Sequence, residues 1–600
     1  MKNILTTLTL TFLATGLFSQ AHNEQVTVIA PFQPTVLDAH KINVIPQTID
    51  SALVPREVRY SILSRKVMTS FGIDHIRPAR VAGEPLPRLT PLYVRGGFGN
   101  YGTSYGELFY GSGRSAQWQY GAHLKHRSSR GTFENHLVPF DNSINLINLF
   151  GGYTGKNVLL SADFHYDRKR FSAYGGDAHF LWFDSIYTGG DFLKENRYKR
   201  IYQNIGGNIR FSDNNTEQEG FKYSGNFAIN SFQPNYVKEW SLGNEWALEF
   251  DGNINQTFEG RRPIFNQTTV GFDVSANWYP LTSDYIGRTG AAHLFRFHPY
   301  GNIRFSGHDF SIGLRVNLFE GEPDFSTRKI STDFQIVPTV RARFNLIDNL
   351  FAIEFGLDGN AEVVTNRTIA NKNPFMFRDM TGGLPVTQLH REYYLGLNTL
   401  LSKNIDFSMK GKFVSYKNLV NFDTDYFYGF MYWDWPWHWP WFPPTMTPFF
   451  GPTYQDVNCF QIQANLNYQL GDRISISTMA QYNLYDKDSR DFILYRPTFE
   501  ANLTARYNIQ DKIILRTQLY VDAGRNYREH SYSYGLLGLY LPEIKTFKPT
   551  IDWSLAAEYR LNRRWGAFME FNNILNQRRM EWVGYRSFGM NFLLGATFNL

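Results

Sequence analysis

From Phe588 to Leu600 the chain alternates without a break. Phe588, Met590, Phe592, Leu594, Ala596, Phe598 and Leu600 share one parity; Ser587, Gly589, Asn591, Leu593, Gly595, Thr597 and Asn599 share the other. Successive side chains of a β-strand point to opposite faces, so a period of two gives one apolar face and one mostly small or polar face. A soluble core could bury one such strand. Here the pattern returns through most of the chain, which suits a closed barrel with lipid outside and water or polar groups inside. The predicted fold class is all-β, a transmembrane antiparallel β-barrel of about 22 strands with short periplasmic turns and long extracellular loops.

Several internal segments are as regular. Phe460, Ile462, Ala464, Leu466, Tyr468 and Leu470 alternate with Gln461, Gln463, Asn465, Asn467 and Gln469. A row of amides is a poor dry core but a natural wall for a wet lumen. Residues 473–484, 499–509 and 552–561 repeat the scheme. Turn chemistry agrees, with tight connections at Ile347-Asp348-Asn349, Ser402-Lys403-Asn404, Gly471-Asp472, Gln510-Asp511 and Asn562-Arg563-Arg564. Long connections are expected near residues 171–196, 361–386, 417–453 and 526–545. A soluble propeller would show blade repeats of about 40–50 residues, which are not seen. The aromatic fraction of 17% suits the interfacial girdles of a barrel.

The first residues read as a secretory signal. Lys2 precedes an apolar stretch from Ile4 to Phe18, and Ser19-Gln20-Ala21 places cleavage before His22, with cleavage before Gln20 as the alternative. The expected organisation is a signal peptide over 1–21, a Pro-rich periplasmic segment over 22–88 and a barrel over 89–600. Pro31, Pro34, Pro46, Pro55, Pro78, Pro85 and Pro87 favour extended or irregular backbone in the middle segment. A short helix is expected near Arg56 to Thr69. The single Cys459 excludes an internal disulfide and is expected at a strand start.

Chemistry-bearing motifs are few. Gly97-Phe98-Gly99-Asn100-Tyr101-Gly102 has dinucleotide-type glycine spacing, but strand continues after it where a helix would be needed, so a glycine-rich hairpin is the reading. Asp486, Asp488 and Asp491, and Asp423 with Asp425, lack the glycine and terminal glutamate of a calcium loop and read as solvated charge. Asp552, Glu558 and Glu570 with Arg506 and Arg560 read as a charge-balanced lumen network. No catalytic site, metal site or cofactor is expected. A net charge of +6, dispersed, gives no case for nucleic acid. The oddest segment carries Trp433, Trp435, Trp437, Trp439 and Trp441 among prolines. Three readings stay open for it: a cap over the lumen, a platform for flat ligand faces such as sugars, or contact with a surface partner. His438 has no second ligand nearby.

Both ends carry a family resemblance. Met569-Glu570-Phe571-Asn572-Asn573-Ile574-Leu575-Asn576-Gln577-Arg578 resembles the penultimate-strand pattern of TonB-dependent receptors, and Phe588 to Leu600 resembles their terminal assembly signal, with Leu600 where Phe is usual. Glu24 to Ala30, with Val26, Thr27, Val28 and Ile29, is similar to their energy-coupling box. The resemblance implies a plug domain before the barrel, but the family's glycine-rich plug motifs are not found in Pro31 to Arg88. The plug is therefore expected to be missing or strongly reduced.

The resemblance also implies an outer-membrane address and recognition of Phe592, Phe598 and Leu600 by the barrel-assembly machinery. A TonB-type inner-membrane partner and a surface lipoprotein are further implied contacts. The function expected is uptake or passage of a solute. The alternative is a non-transporting outer-membrane scaffold or surface-interaction barrel.

Overall fold

The computed structural model describes residues 90–600 except 116, 133–138, 176–198, 215–219, 236–243, 260–264, 284–287, 325–328, 349, 377–385, 426–448, 487–492 and 533–539. The expected signal peptide, the Pro-rich segment with its helix and coupling box, and all five loop tryptophans lie outside the described residues.

In chain order the strands are β1 (Leu92–Gly99), β2 (Thr103–Gly111), β3 (Trp118–Gly131), β4 (Phe140–Thr154), β5 (Val158–Ser172), β6 (Lys199–Asp213), β7 (Gly220–Asn235) and β8 (Asn244–Glu259). There follow β9 (Phe265–Ser283), β10 (Arg288–Phe305), β11 (His308–Asp324), β12 (Lys329–Ile347), β13 (Phe351–Val364), β14 (Val386–Ser402), β15 (Ile405–Asp425) and β16 (Phe449–Leu470). The remainder are β17 (Ile474–Tyr485), β18 (Phe499–Ile509), β19 (Ile513–Ala523), β20 (Asn526–Tyr532), β21 (Tyr540–Thr546), β22 (Thr550–Arg560), β23 (Trp565–Asn572), β24 (Met580–Trp582), β25 (Tyr585–Arg586) and β26 (Asn591–Asn599). One helix, α1, covers Asn366–Lys372.

A single 22-stranded antiparallel sheet closes on itself, each strand paired with its sequence neighbour and β1 with β26. Two hairpins, β20–β21 and β24–β25, stand apart from it in the loops. Closure leaves the wall without the free edges of an open sheet, so its backbone groups pair strand to strand where lipid cannot hydrogen-bond them. The alternation read from sequence becomes two surfaces. Leu594 is 49% exposed while its neighbour Leu593 is buried, and Leu395, Ile312 and Phe355 stand on the same outer, apolar surface. The inner surface carries amides, hydroxyls and paired charges, with buried apolar side chains such as Leu593, Leu294 and Phe319 among them. No helix among the described residues is long and apolar enough to cross a membrane.

The seam between the ends depends on glycine. Gly97 faces Gly595 across the β1–β26 pair. A Cβ on Gly595 would lie 2.1 Å from the Gly96 carbonyl oxygen and 2.5 Å from the Phe568 ring. The space is filled by that ring, with the Arg95 guanidinium 3.8 Å above it and paired to Glu570. At the periplasmic rim, Gln510 and Asp511 both have positive φ, and the Lys512 amide donates to the Ile509 carbonyl at 3.0 Å. That is the mirror-image turn whose twist matches paired strands.

Two expectations need correction, and two gain detail. Cys459 lies inside β16, buried, because the strand continues upward to Phe449. For the same reason the long connection expected over 417–453 is shorter, with β15 reaching Asp425. Residues 526–545 are largely the β20–β21 hairpin. The lumen carboxylates also contact cations beyond those expected: Glu570 pairs with Arg95, Glu558 with Arg516 at 3.8 Å and Asp552 with Arg579 at 3.5 Å, while Arg506 and Arg560 share the electrostatics around Glu558.

Candidate functional site: a loop that crosses the lumen

The wall splits between β12 and β13. β12 pairs with β13 only from Val340–Leu357 down to Ile347–Phe351. Above that level β12 stays with β11 as far as Lys329–Asp324, and β13 stays with β14 as far as Val364–Val386. Pro338, which has no amide hydrogen to give a ladder, stands just above the last β12–β13 pair. The upper β13–β14 hairpin then leans inward and laps over the inner face of β10 and β11. Arg315 on β11 bonds the Asp358 carboxylate at 2.6 Å and the Gly359 carbonyl. Arg296 on β10 donates to the Ala361 carbonyl at 2.7 Å, and the Thr387 hydroxyl to the Glu320 carbonyl at 3.3 Å. Beneath the lap, Leu294, Phe319, Ala361 and Val363 make a small dry contact.

From this inward hairpin the chain continues across the barrel. Thr365 caps α1, its hydroxyl accepting the Thr368 amide at 3.3 Å, and Asn373 ends it by donating to the Ile369 carbonyl. The far side of the helix meets strands that are distant around the wall. Arg367 lies 3.4 Å from Glu249 of β8, and its amide donates to Glu245 at 3.1 Å. Lys169 of β5 reaches Asn371 at 3.4 Å. Arg200 of β6 donates to the Met376 carbonyl, and the Tyr202 hydroxyl to the Pro374 carbonyl at 3.0 Å. Strands β7 to β12 separate β6 from β13 along the wall, so these contacts are made through the interior.

Outer loops pack onto the crossing segment. Met376 bridges to Phe450 at the top of β16, and Phe375 stacks on Tyr585 with ring centroids 3.6 Å apart. Tyr495 stands 4.6 Å from Trp582, and the Tyr174 hydroxyl donates to the Arg586 carbonyl at 2.7 Å. Phe450 and Met376 are fully buried and Tyr585 nearly so. Burial pushes the Tyr585 phenol up to about 12. A buried Arg525 ties the loops to the wall, at 2.8 Å from Asp522 and 3.2 Å from the Thr550 hydroxyl. Arg528 holds Asp423 at 2.7 Å, so that aspartate belongs to an ion pair and not to a cation loop. Among the described residues no group of three or more His, Cys, Asp or Glu side chains could hold a metal.

Below the crossing segment lies a lumen cavity of about 750 Å³ whose mixed lining includes Arg210, Asp251, Asp273, Arg296, His298 and Arg315 beside Leu159, Leu160 and Phe211. His298 bonds Asp273 at 3.0 Å and the Thr339 hydroxyl at 2.9 Å, so these charges are fixed by partners and do not hang free.

Of the site residues read from sequence, Phe592, Phe598 and Leu600 are all on the closing strand or its end, with Phe592 and Leu600 exposed toward lipid. Trp433 to Trp441 and Val26 to Ile29 lie outside the described residues. Sequence reading missed Arg367, Glu245, Glu249 and Arg200. The available signal was the capping string Thr365-Asn366-Arg367-Thr368 inside an expected long loop.

No family model matches the chain, and no curated protein matches it. Solved structures do. P. aeruginosa FpvA bound to heterologous pyoverdines superposes with a TM-score of 0.57 at 12% identity, covering 85% of this chain and 71% of that one. The ferric-catecholate import receptor Fiu of E. coli K12 gives 0.56 at 10%, covering 86% and 82%. The FrpB iron transporter of Neisseria meningitidis gives 0.57 at 8%, covering 86% and 83%. These are TonB-dependent receptors, and the likeness is one of fold. The chain thus shares the closed 22-stranded barrel fold of these receptors, a fold of the outer membrane.

Proposed function

We propose that this chain carries a solute across the outer membrane through a lumen closed from outside by residues 365–376. The observation that carries the reading is the crossing segment itself, which reaches from β13 to β5, β6 and β8 and lies under the packed outer loops. A barrel this wide needs an obstruction, and a loop anchored by polar bonds and a few ion pairs can be displaced at modest cost. The loop bearing Trp433, Trp435, Trp437, Trp439 and Trp441 would assist the closure or present rings to the solute.

The plug, missing or strongly reduced in this reading, would be replaced in part by that closure, and residues 22–88 would form a Pro-rich periplasmic segment behind the signal peptide. Val26 to Ile29 would offer a TonB-type partner its contact, making uptake energised. Phe592, Phe598 and Leu600 would address the barrel to its assembly machinery. The chain would do no catalysis.

Replacing residues 366–376 with a Gly-Ser linker and recording planar-bilayer conductance tests the gate. A rise supports it, and unchanged conductance removes the segment from that role. Deleting residues 427–450 asks the same of the tryptophan loop. Loss of energy-dependent uptake on deleting residues 24–30 separates energised from passive passage. A second reading, a non-transporting scaffold for a surface lipoprotein or other partner, is favoured by one observation: the mouth is sealed by fully buried apolar side chains.

A further inference from the structure

The inner wall holds a second, smaller cavity, of about 330 Å³, beneath the β17–β18 loop. It lies at the level where β16 and β17 end their pairing at Cys459–Tyr485. Its size is at the lower end of small-ligand pockets. Tyr416, Gln461, Gln481, Tyr485, Arg496 and Glu500 supply its polar groups. Leu419, Val457 and Ile493 make a dry cluster against which both tyrosine rings pack. Asn483 is held on both sides: its carbonyl accepts from Gln461 at 2.9 Å and Gln481 at 3.1 Å, and one hydrogen of its amide donates to the Pro497 carbonyl at 3.2 Å. Arg496 is anchored by a 2.8 Å bond to the Val420 carbonyl.

What is left over defines the ligand. With one amide hydrogen of each spent on Asn483, both glutamines retain a carbonyl acceptor and a second N–H, Glu500 adds a carboxylate, and the two phenols can donate or accept. Aromatic and aliphatic faces stand beside them. Opposite formal charges on Arg496 and Glu500 cancel, so the pocket does not select a net charge. We propose that this cavity is a wall subsite for a neutral, hydroxyl-rich solute of the carbohydrate class. Hydroxyls donate to the surplus acceptors, and ring C–H faces rest on Tyr416 and Tyr485. The inference deepens the passage reading and rests on it only in requiring that the solute reach the lumen.

Titration calorimetry on the full-length barrel in detergent tests it, with maltose and N-acetylglucosamine as probes and the zwitterion glycylglycine as control. Saturable sugar binding is expected, weakened at least tenfold by Gln461→Leu with Gln481→Leu, which keep volume and remove acceptors, and by Glu500→Ala. Tyr485→Phe, which keeps the ring, should weaken it less than Tyr485→Ala. Binding of glycylglycine without sugar, or sugar binding indifferent to these substitutions, overturns the assignment. So does absence of binding by either sugar in a barrel that still passes solutes in liposome swelling. Sugar binding by a barrel that passes nothing would instead sink the passage reading and leave the subsite standing.

Discussion

Arg367, on the loop helix after β13, stands 3.4 Å from the carboxylate of Glu249 on the inner face of β8. Each side chain is about a quarter exposed, so the pair is neither dry nor fully screened. Such a contact contributes about 1 kcal/mol. Arg367→Ala should raise the open-state population roughly fivefold, since that energy is about a fivefold shift in equilibrium. Single-channel recording reads it. In Glu249→Ala the same change should add little, because the partner is already gone.

The aromatic cover should matter more than any one ion pair. Phe450 is fully buried between Trp582, Tyr495 and Met376. Phe450→Ala should cost the cover about 3 kcal/mol or more and make it accessible to protease at the outer loops, with the wall still folded. Limited proteolysis of outer-membrane vesicles distinguishes loosened loops from a lost barrel.

Alkali should loosen the cover through Tyr585. Its folded pKa of about 12 exceeds the ordinary value of 10.0. Above pH 10 the exposed phenol ionises while the buried one holds its proton, so the contribution is complete below 10 and is lost as pH climbs toward 12. Absorbance titration near 295 nm, with Tyr585→Phe as reference, should show one late-ionising phenol. Ionisation of all tyrosines at ordinary values would contradict the packing.

Seam closure should be intolerant of a side chain at Gly595. Gly595→Val would drive its Cβ into the Gly96 carbonyl and the Phe568 ring. The expected result is a chain that stays unfolded in mobility on unheated SDS gels, whereas Gly106→Ala, with open space around it, should fold.

Lipid exposure is testable at Leu395, which is 58% exposed on the outer surface. Leu395→Arg should destabilise the barrel in vesicles by about 2–4 kcal/mol if the site is near the bilayer midplane. Asn465→Lys, on the amide-lined inner face, should cost much less. Equal costs at the two positions would contradict the assignment of faces.

The outer and inner surfaces of the wall were readable along the chain because each strand meets both solvents itself. Phe460 with Gln461, and Leu594 with Leu593, show their facing through a period of two that needs no knowledge of distant partners. Turns such as Gln510-Asp511 are local in the same sense, and the outer-membrane address followed from these features together. Strand ends such as those around Cys459 were misread because pairing beyond the membrane has no lipid to enforce alternation.

The lumen closure was not legible in this way. Arg367 meets Glu249 across 118 residues of sequence, and Arg200 meets Met376 across 176. No periodicity encodes which loop bends inward. That choice follows from β13 leaving β12 above Leu357 and from Arg296 and Arg315 holding the displaced backbone. Solvent on either side of a strand is a local condition and writes itself into the sequence, whereas closure is an agreement among distant segments and exists only once the barrel has brought them together.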